Sequence, residues 1–345
     1  MQRTLAGLFP HELETLVAEL DEPAYRGRQV FHWLHRRGAL DPALMTDLPL
    51  GLRRRLPTTA SQEVRRLKSV DRLTSKLLLR LHDDQQIEAV EMKTRTGRKT
   101  VCVSTQAGCA MGCVFCVTGQ FGFARNLDAG EIVEQVLRFN NAAEPVTNVV
   151  FMGMGEPLAN YEETLRAIRL LVHPEGLRLG ARRITLSTSG LVPHIDRLAE
   201  EGLQIGLAIS LHAANDDDRS ALMPVNRRWP IAELVAAADR YAARTGRRVS
   251  YEYTLIAGKN DSLVQADDLA RLLRGRLCHV NLIPLNPSED ATLHAPTTTA
   301  AFAFEARLQE HGIAATIRVN RGRDILAACG QLRLAEKKER LALPA

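Results

Sequence analysis

From about residue 97 onward the chain alternates short β-branched runs with amphipathic stretches of helical period, and this alternation constrains its fold more than any other feature. Strands are expected at Lys99–Thr105, Asn148–Met152, Arg183–Thr188, Gln204–Ser210, Val249–Ile256 and Cys278–Ile283, with a seventh strand-like run at Ala314–Val319. Helical patterns follow most of them, at Ala129–Asn140, Tyr161–Leu171, Pro193–Glu201, Ile231–Thr245, Leu263–Leu273 and Thr298–His311. Strict βα alternation implies a parallel sheet with helices outside it. The strand segments are apolar almost throughout, which fits burial on both faces. Six units are too few to close an eight-stranded barrel. The expected architecture is an α/β fold, an open, partial (β/α)6 barrel, with a doubly wound sheet as the alternative.

The character changes before residue 97. Helices are expected at Pro10–Leu20, at Gly27–Arg37 and through Ala43–Leu56; antiparallel strands are expected at Glu63–Leu67, Thr74–Leu81 and Gln86–Lys93. This divides the chain into a helical accessory domain (1–60), a small β extension (61–96), the barrel (97–335) and a basic tail (336–345). A chain of 345 residues with 45% hydrophobic and 25% charged residues has the composition of a soluble globular protein. It holds no apolar stretch of the roughly 18 residues a membrane helix needs, and its first residues lack a signal-peptide core. Three of its six cysteines are spaced for a cluster, which argues for a reducing cytoplasm rather than a disulfide scaffold. The net charge of +5 comes in short basic bursts, among them Arg53–Arg55, Arg65–Arg66 and Arg227–Arg228. These suit a nucleic-acid footprint or a set of solvated helix ends equally well.

Cys109, Cys113 and Cys116 form a Cys-x3-Cys-x2-Cys loop directly after the first barrel strand. Three thiolates this close can hold three irons of a [4Fe-4S] cluster and leave the fourth iron open for a ligand. A zinc knuckle is the competing reading, but zinc prefers paired hooks with four ligands, and His82 and His173 are distant. Active residues of parallel βα folds collect on loops after the strand C-termini. Gly153–Pro157, Ser187–Ser189, Ser210–His212 and Asn286 all fall there. Taken singly, each has a structural alternative: a βα turn, a serine N-cap, a hydrogen-bonded histidine, a turn asparagine. Cys102 on the first strand reads alone as core, and Cys278 as packing. Cys329, in a polar loop beyond the last strand, has the setting of a reactive thiol.

The run Cys-Val-Ser-Thr-Gln-Ala-Gly-Cys-Ala-Met-Gly-Cys-Val-Phe-Cys is followed in order by Met-Gly-Met-Gly-Glu-Pro-Leu, Ser-Thr-Ser-Gly, Ser-Leu-His and Ala-Ala-Cys-Gly-Gln-Leu. Together these resemble the radical S-adenosylmethionine superfamily, and within it the RlmN/Cfr family of RNA adenine methyltransferases. The likeness runs from the N-terminal helices to about Leu334. It implies a radical-SAM barrel in which Cys109, Cys113 and Cys116 hold the [4Fe-4S] cluster. Gly155 and Glu156 would bind the amine of S-adenosylmethionine, with Ser187, Ser210, Leu211, His212 and Asn286 lining its pocket. Cys329 would carry the methyl group, Cys102 would resolve the adduct through a transient disulfide, and Glu88 would be the proton acceptor, with Glu91 its competitor.

In the family scheme one S-adenosylmethionine methylates Cys329, and a second is cleaved to a 5′-deoxyadenosyl radical that activates the S-methyl group. Two molecules are therefore used per turnover. The resemblance implies methylation of adenosine C2 in 23S rRNA, and in tRNA next to the anticodon, with an electron donor such as flavodoxin or ferredoxin. We expect a monomer with no membrane partner. Methylation at C8, or of another RNA, is the alternative; an iron–sulfur RNA-binding protein without activity and a radical enzyme acting on a small molecule are readings of other classes. Two departures from the family pattern stand out: Leu326 where aspartate is usual, and the run 287–291 without its Gly-Ala-Pro stretch. Both bear on the RNA rather than on the radical chemistry.

Overall fold

In the computed structural model, which describes residues 4–57, 59–141, 143–286, 292–318, 323–325 and 331, the chain opens with α1 (Pro10–Glu19), α2 (Tyr25–His35) and α3 (Leu50–Arg55). The expected helix through Ala43–Leu56 is broken. Pro42–Leu44 makes a single tight turn capped by Asp41, and α3 starts afresh after Pro49, whose ring cannot continue a helix from its N-terminal side. Four strands follow: β1 (Ser61–Lys68), β2 (Thr74–Leu81), β3 (Gln86–Lys93) and β4 (Lys99–Cys102). β4 is shorter than expected because beyond it Ser104 N–H turns to the side chain of Gln135, at 2.8 Å. Next come β5 (Gln106–Gly108), β6 (Phe123–Asn126), α4 (Ala129–Leu137), β7 (Asn148–Phe151), α5 (Tyr161–Val172), β8 (Ile184–Thr188), α6 (Val192–Glu200) and β9 (Gly206–Ser210). The series continues with α7 (Asp216–Leu222), α8 (Ile231–Thr245), β10 (Val249–Leu255), α9 (Leu263–Leu273), β11 (Cys278–Pro284), α10 (Thr298–Glu310) and β12 (Ala315–Ile317).

Contacts divide the chain into two compact units. The first comprises 1–107, 124–154 and 160–184. Its strands run in the order β1-β2-β3-β4-β7, antiparallel up to β4 and parallel from β4 to β7. α1 and α2 cross at Gly27, where an added Cβ would lie 2.3 Å from the Glu14 backbone nitrogen, so only glycine permits this approach. α4 starts with a capping box, Asp128 accepting from Glu131 N–H and the Glu131 carboxylate accepting from Asp128 N–H. The same carboxylate takes Arg125 in a two-pronged pair at 2.8 Å.

The second unit comprises 108–123, 155–159 and 185–345. Its strands run β8-β9-β10-β11-β12, every pair parallel. The apolar runs foretold their burial: Leu207, Ala208 and Ile209 of β9 and Tyr251, Tyr253 and Leu255 of β10 are all buried. Ile195 and Leu198 of α6, Leu234 and Tyr241 of α8 and Phe304 of α10 are buried with them. The buried tyrosines satisfy their hydroxyls on backbone carbonyls: Tyr241 donates to Ile205 at 3.0 Å and Tyr253 to Asn260 at 2.9 Å. α8 and α9 match their expected bounds to the residue; α7 was not foreseen.

Candidate functional site

The three-cysteine loop belongs to the second unit and is closed at its base by Cys109 N–H donating to the Gly122 carbonyl at 2.9 Å. Gly108, just before it, has φ +87°, and an added Cβ would lie 2.0 Å from that carbonyl oxygen, so the closure requires glycine. Inside the loop, Cys116 N–H donates to the Cys113 carbonyl at 3.1 Å and Gly119 N–H to that of Cys116 at 3.1 Å. Val114 N–H reaches the Leu222 carbonyl at 3.1 Å, and Cys113 and Phe115 pack on a cluster of Leu222, Met223, Ile256 and Leu285. The loop is thus docked on the end of α7.

Burial pushes the Cys109 thiol up to about 11 and the Cys113 thiol up to about 12, with negative charge on Cys116 and Glu156 adding to both. Partly buried thiols that repel one another when ionised are the donor set a positively charged iron core stabilises. Among the described residues no three His, Cys, Asp or Glu side chains are gathered for a single ion. A cubane takes each thiolate on a different iron and does not ask for that. The residues present fit the cluster.

Four strand-end segments of the same unit carry the other candidates. Gly155 has φ +100°, and next to it the buried Glu156 accepts from Leu158 N–H at 3.0 Å and from Ser189 N–H at 2.7 Å. Burial raises the Glu156 carboxyl above its ordinary range, while those backbone donors pull it back. Ser187 and Ser210 are half-buried, and neither caps a helix: the N-caps of α6 and α7 are Leu191 and Asn215. Leu211 and His212 both donate their N–H to the Glu252 carbonyl, at 3.0 and 3.3 Å. His212 adopts φ +59° and is buried; its Nδ1 accepts from Thr254 N–H at 2.9 Å, and its ring meets Phe115 edge-on at 4.7 Å. Burial, aided by Arg219, lowers this histidine to about 3, so it is neutral and carries its proton on Nε2. Asn286 is half-buried just past β11.

Arg219 escaped the sequence reading. It lies on α7, fully out of solvent, and donates to four neutral acceptors. These are the carbonyls of Leu211 (3.1 Å), Ser210 (3.0 Å) and Ser189 (2.6 Å), and Oδ1 of Asn226 (2.8 Å). Burial lowers the guanidinium to about 10. The available signal was Asn215 followed by Asp216, Asp217 and Asp218, an N-cap with acid in the first turn.

Glu88 and Cys102 belong to the first unit. Cys102 stands opposite Val90, and Glu88 is two residues along from Val90, so the two share a sheet face as diagonal neighbours. Lys76, opposite Val90 on the other flank, is fully buried and pairs with Glu88 at 2.9 Å. Glu91 points to the opposite face, where it pairs with Lys99 at 2.9 Å. That face carries a cleft of about 340 Å³ lined by Arg66, Lys68, Arg72 and Lys93 among others. Arg66 is held by Glu63 and Lys93 by Glu144. Lys68 and Arg72 are exposed and have no carboxylate partner among the described residues. Cys329, Leu326 and the run 287–291 lie outside the described residues.

Two family models match the chain: the Radical SAM superfamily over residues 103–270, and the Ribosomal RNA large subunit methyltransferase N-terminal domain over residues 4–61. A protein of Moorella thermoacetica named probable dual-specificity RNA methyltransferase RlmN is 50% identical over 97% of this chain and 98% of its own length. The dual-specificity RNA methyltransferase RlmN of Sorangium cellulosum is 46% identical, covering 97% of each. The crystal structure of a radical SAM methyltransferase from Sphaerobacter thermophilus superposes with a TM-score of 0.92 at 54% identity, over 96% of this chain and 99% of that one.

Proposed function

The chain belongs to the RlmN family of the radical SAM superfamily, and from that premise we propose that it methylates carbon 2 of an adenosine in RNA, in 23S rRNA and in tRNA, by way of an S-methylated cysteine. The observation that carries this reading is the shared sheet face of Cys102 and Glu88, because a simple methyl transfer from S-adenosylmethionine needs neither a resolving thiol nor an adjacent base. When bound on Cys109, Cys113 and Cys116, a [4Fe-4S] cluster supplies the electron for reductive cleavage of S-adenosylmethionine.

The chain's own residues do the rest. Gly155 and Glu156 orient the amine of the cofactor; Ser187, Ser210, Leu211, His212 and Asn286 line the remainder of its pocket. Neutral His212 offers Nε2–H as a donor and never a charge. Cys329 sulfur accepts a methyl group, whose carbon bonds to the ring carbon after giving one hydrogen atom to the 5′-deoxyadenosyl radical, and the adduct returns the one electron that cleavage consumed. Cys102 sulfur then attacks Cys329 sulfur, forming the S–S bond as the bond from Cys329 sulfur to the transferred carbon breaks, and that carbon keeps the electron pair and takes up a proton to become the methyl group. Glu88, anchored by Lys76, accepts the ring proton. Residues 1–60 and the exposed cations of the β extension form the RNA-contacting surface.

Anaerobic reconstitution with an rRNA fragment tests this, reading the modified nucleoside by mass spectrometry and 5′-deoxyadenosine by chromatography. The expected products are 2-methyladenosine and 5′-deoxyadenosine. A methyl group at C8 would overturn the regiochemistry, and the absence of 5′-deoxyadenosine would overturn the radical chemistry. Cys102→Ala is expected to accumulate protein cross-linked to RNA through Cys329; normal turnover in that variant would remove Cys102 from the scheme.

A further inference from the structure

A buried guanidinium normally has a carboxylate beside it, since an uncompensated charge in a low-dielectric interior is costly. Arg219 has none among its hydrogen-bond partners: three are backbone carbonyls and the fourth is the Asn226 amide oxygen. Asn226 is itself spoken for, donating to the Asp216 carbonyl at 3.1 Å, to Asp216 Oδ1 at 2.9 Å and to Ser220 Oγ at 2.8 Å. The Arg219 carbonyl accepts from Met223 N–H at 2.7 Å, and Met223 and Leu222 are the surface on which Cys113 and Phe115 pack. One side chain therefore ties the ends of β8 and β9 to α7, and α7 in turn carries the cysteine loop. Leu222, one turn along α7 from Arg219, accepts from Val114 N–H at 3.1 Å, so the helix that carries the guanidinium also holds the residue next to Cys113, while the carboxylate of Asp216 is reached only through Asn226.

We propose that Arg219 is a positioning residue for the cluster site: its guanidinium clamps the carbonyls of Ser189, Ser210 and Leu211 and supplies the buried positive charge that offsets the negative charge of a thiolate-bound cluster. The inference rests on reading Cys109, Cys113 and Cys116 as cluster ligands. One-electron reduction adds negative charge close to a fixed cation, so Arg219 favours the reduced state and raises the reduction potential. The clamp also sets the spacing of strand ends that line the cofactor pocket.

The test compares the reconstituted wild-type protein with Arg219→Gln and Arg219→Lys. The readouts are the midpoint potential by spectroelectrochemical titration with electron paramagnetic resonance, S-adenosylmethionine affinity, and the melting temperature. Arg219→Gln is expected to lose about tenfold in the equilibrium constant for reduction, a negative shift of roughly 59 mV for one electron. Arg219→Lys keeps the charge and loses the fork. It is expected to hold the potential within about twofold of wild type in that constant while binding S-adenosylmethionine about tenfold more weakly, as Arg219→Gln also does. Equal potentials in wild type and Arg219→Gln would leave Arg219 only a structural role and overturn the proposal. If Arg219→Gln fails to load a cluster, Arg219→Lys decides: an unmoved potential supports the electrostatic role, and a negative shift refutes it. A wild-type protein that takes up no iron would overturn the cluster reading and this inference with it.

Discussion

Lys76 and Glu88 are nearly without solvent, at 0% and 1% side-chain exposure, and their contact spans two strands. Removing one member of such a pair takes away the charge that offsets the other, whereas removing both deletes the two charges together. Lys76→Met is accordingly expected to destabilise the first unit by about 3–5 kcal/mol. Lys76→Met with Glu88→Leu should recover most of that stability, as read by urea denaturation, while remaining inactive. Recovery of activity in the double variant would remove Glu88 from the chemistry. At this scale the sequence spoke unevenly. The three-cysteine spacing could be read for cluster chemistry because cluster ligands can sit in one short loop. Lys76 gave no sign and Arg219 only the start of its helix, because a lysine in a strand and an arginine after three aspartates both read as solvated residues. Only the fold takes them out of water.

The β1–β2 hairpin shows how an element can present charge without using it internally. Lys68 stands opposite Ser75 in the register, Arg72 sits in the turn with φ +57°, and both face water at the cleft of the first unit. If RNA lies along this face, Lys68→Gln with Arg72→Gln should lower the slope of log affinity against log salt by up to about 2 and weaken all RNA sequences alike. Filter binding across a salt series measures it; an unchanged slope would place the RNA elsewhere. Elements of this kind were legible from period alone. β2 and β3 occupy their expected residues, as do α8 and α9, since alternation and the 3.6-residue stripe dictate them. The helix expected through Ala43–Leu56 failed at Pro49, where backbone chemistry outranks apolar pattern.

Two buried histidines give the whole molecule a common response to acid. His35, stacked on Phe31 at 4.2 Å in the first unit, is lowered to about 3 by burial with a contribution from His173; His212 in the second is lowered to about 3 by burial with a contribution from Arg219. The unfolded chain protonates these rings below about pH 6.5, while the folded chain leaves them neutral until near 3. The unfolded state therefore binds more protons, and stability falls as pH drops from 6.5 toward 3. Each histidine is expected to contribute a slope of about 1.4 kcal/mol per pH unit in that range. Urea midpoints at pH 7.5, 6.5 and 5.5 should fall on acidification, and His35→Leu should flatten the dependence of the first unit; a flat wild-type profile would mean that the folded state accepts the protons. The sequence by itself determined the βα order, the three-cysteine spacing and the family, because periodicity and local spacing are written in neighbouring residues. The tertiary structure alone decided that Glu88 shares a face with Cys102 while Glu91 does not, and that Arg219 is a buried cation. Those facts depend on strand register and on burial, which arise only when distant segments meet.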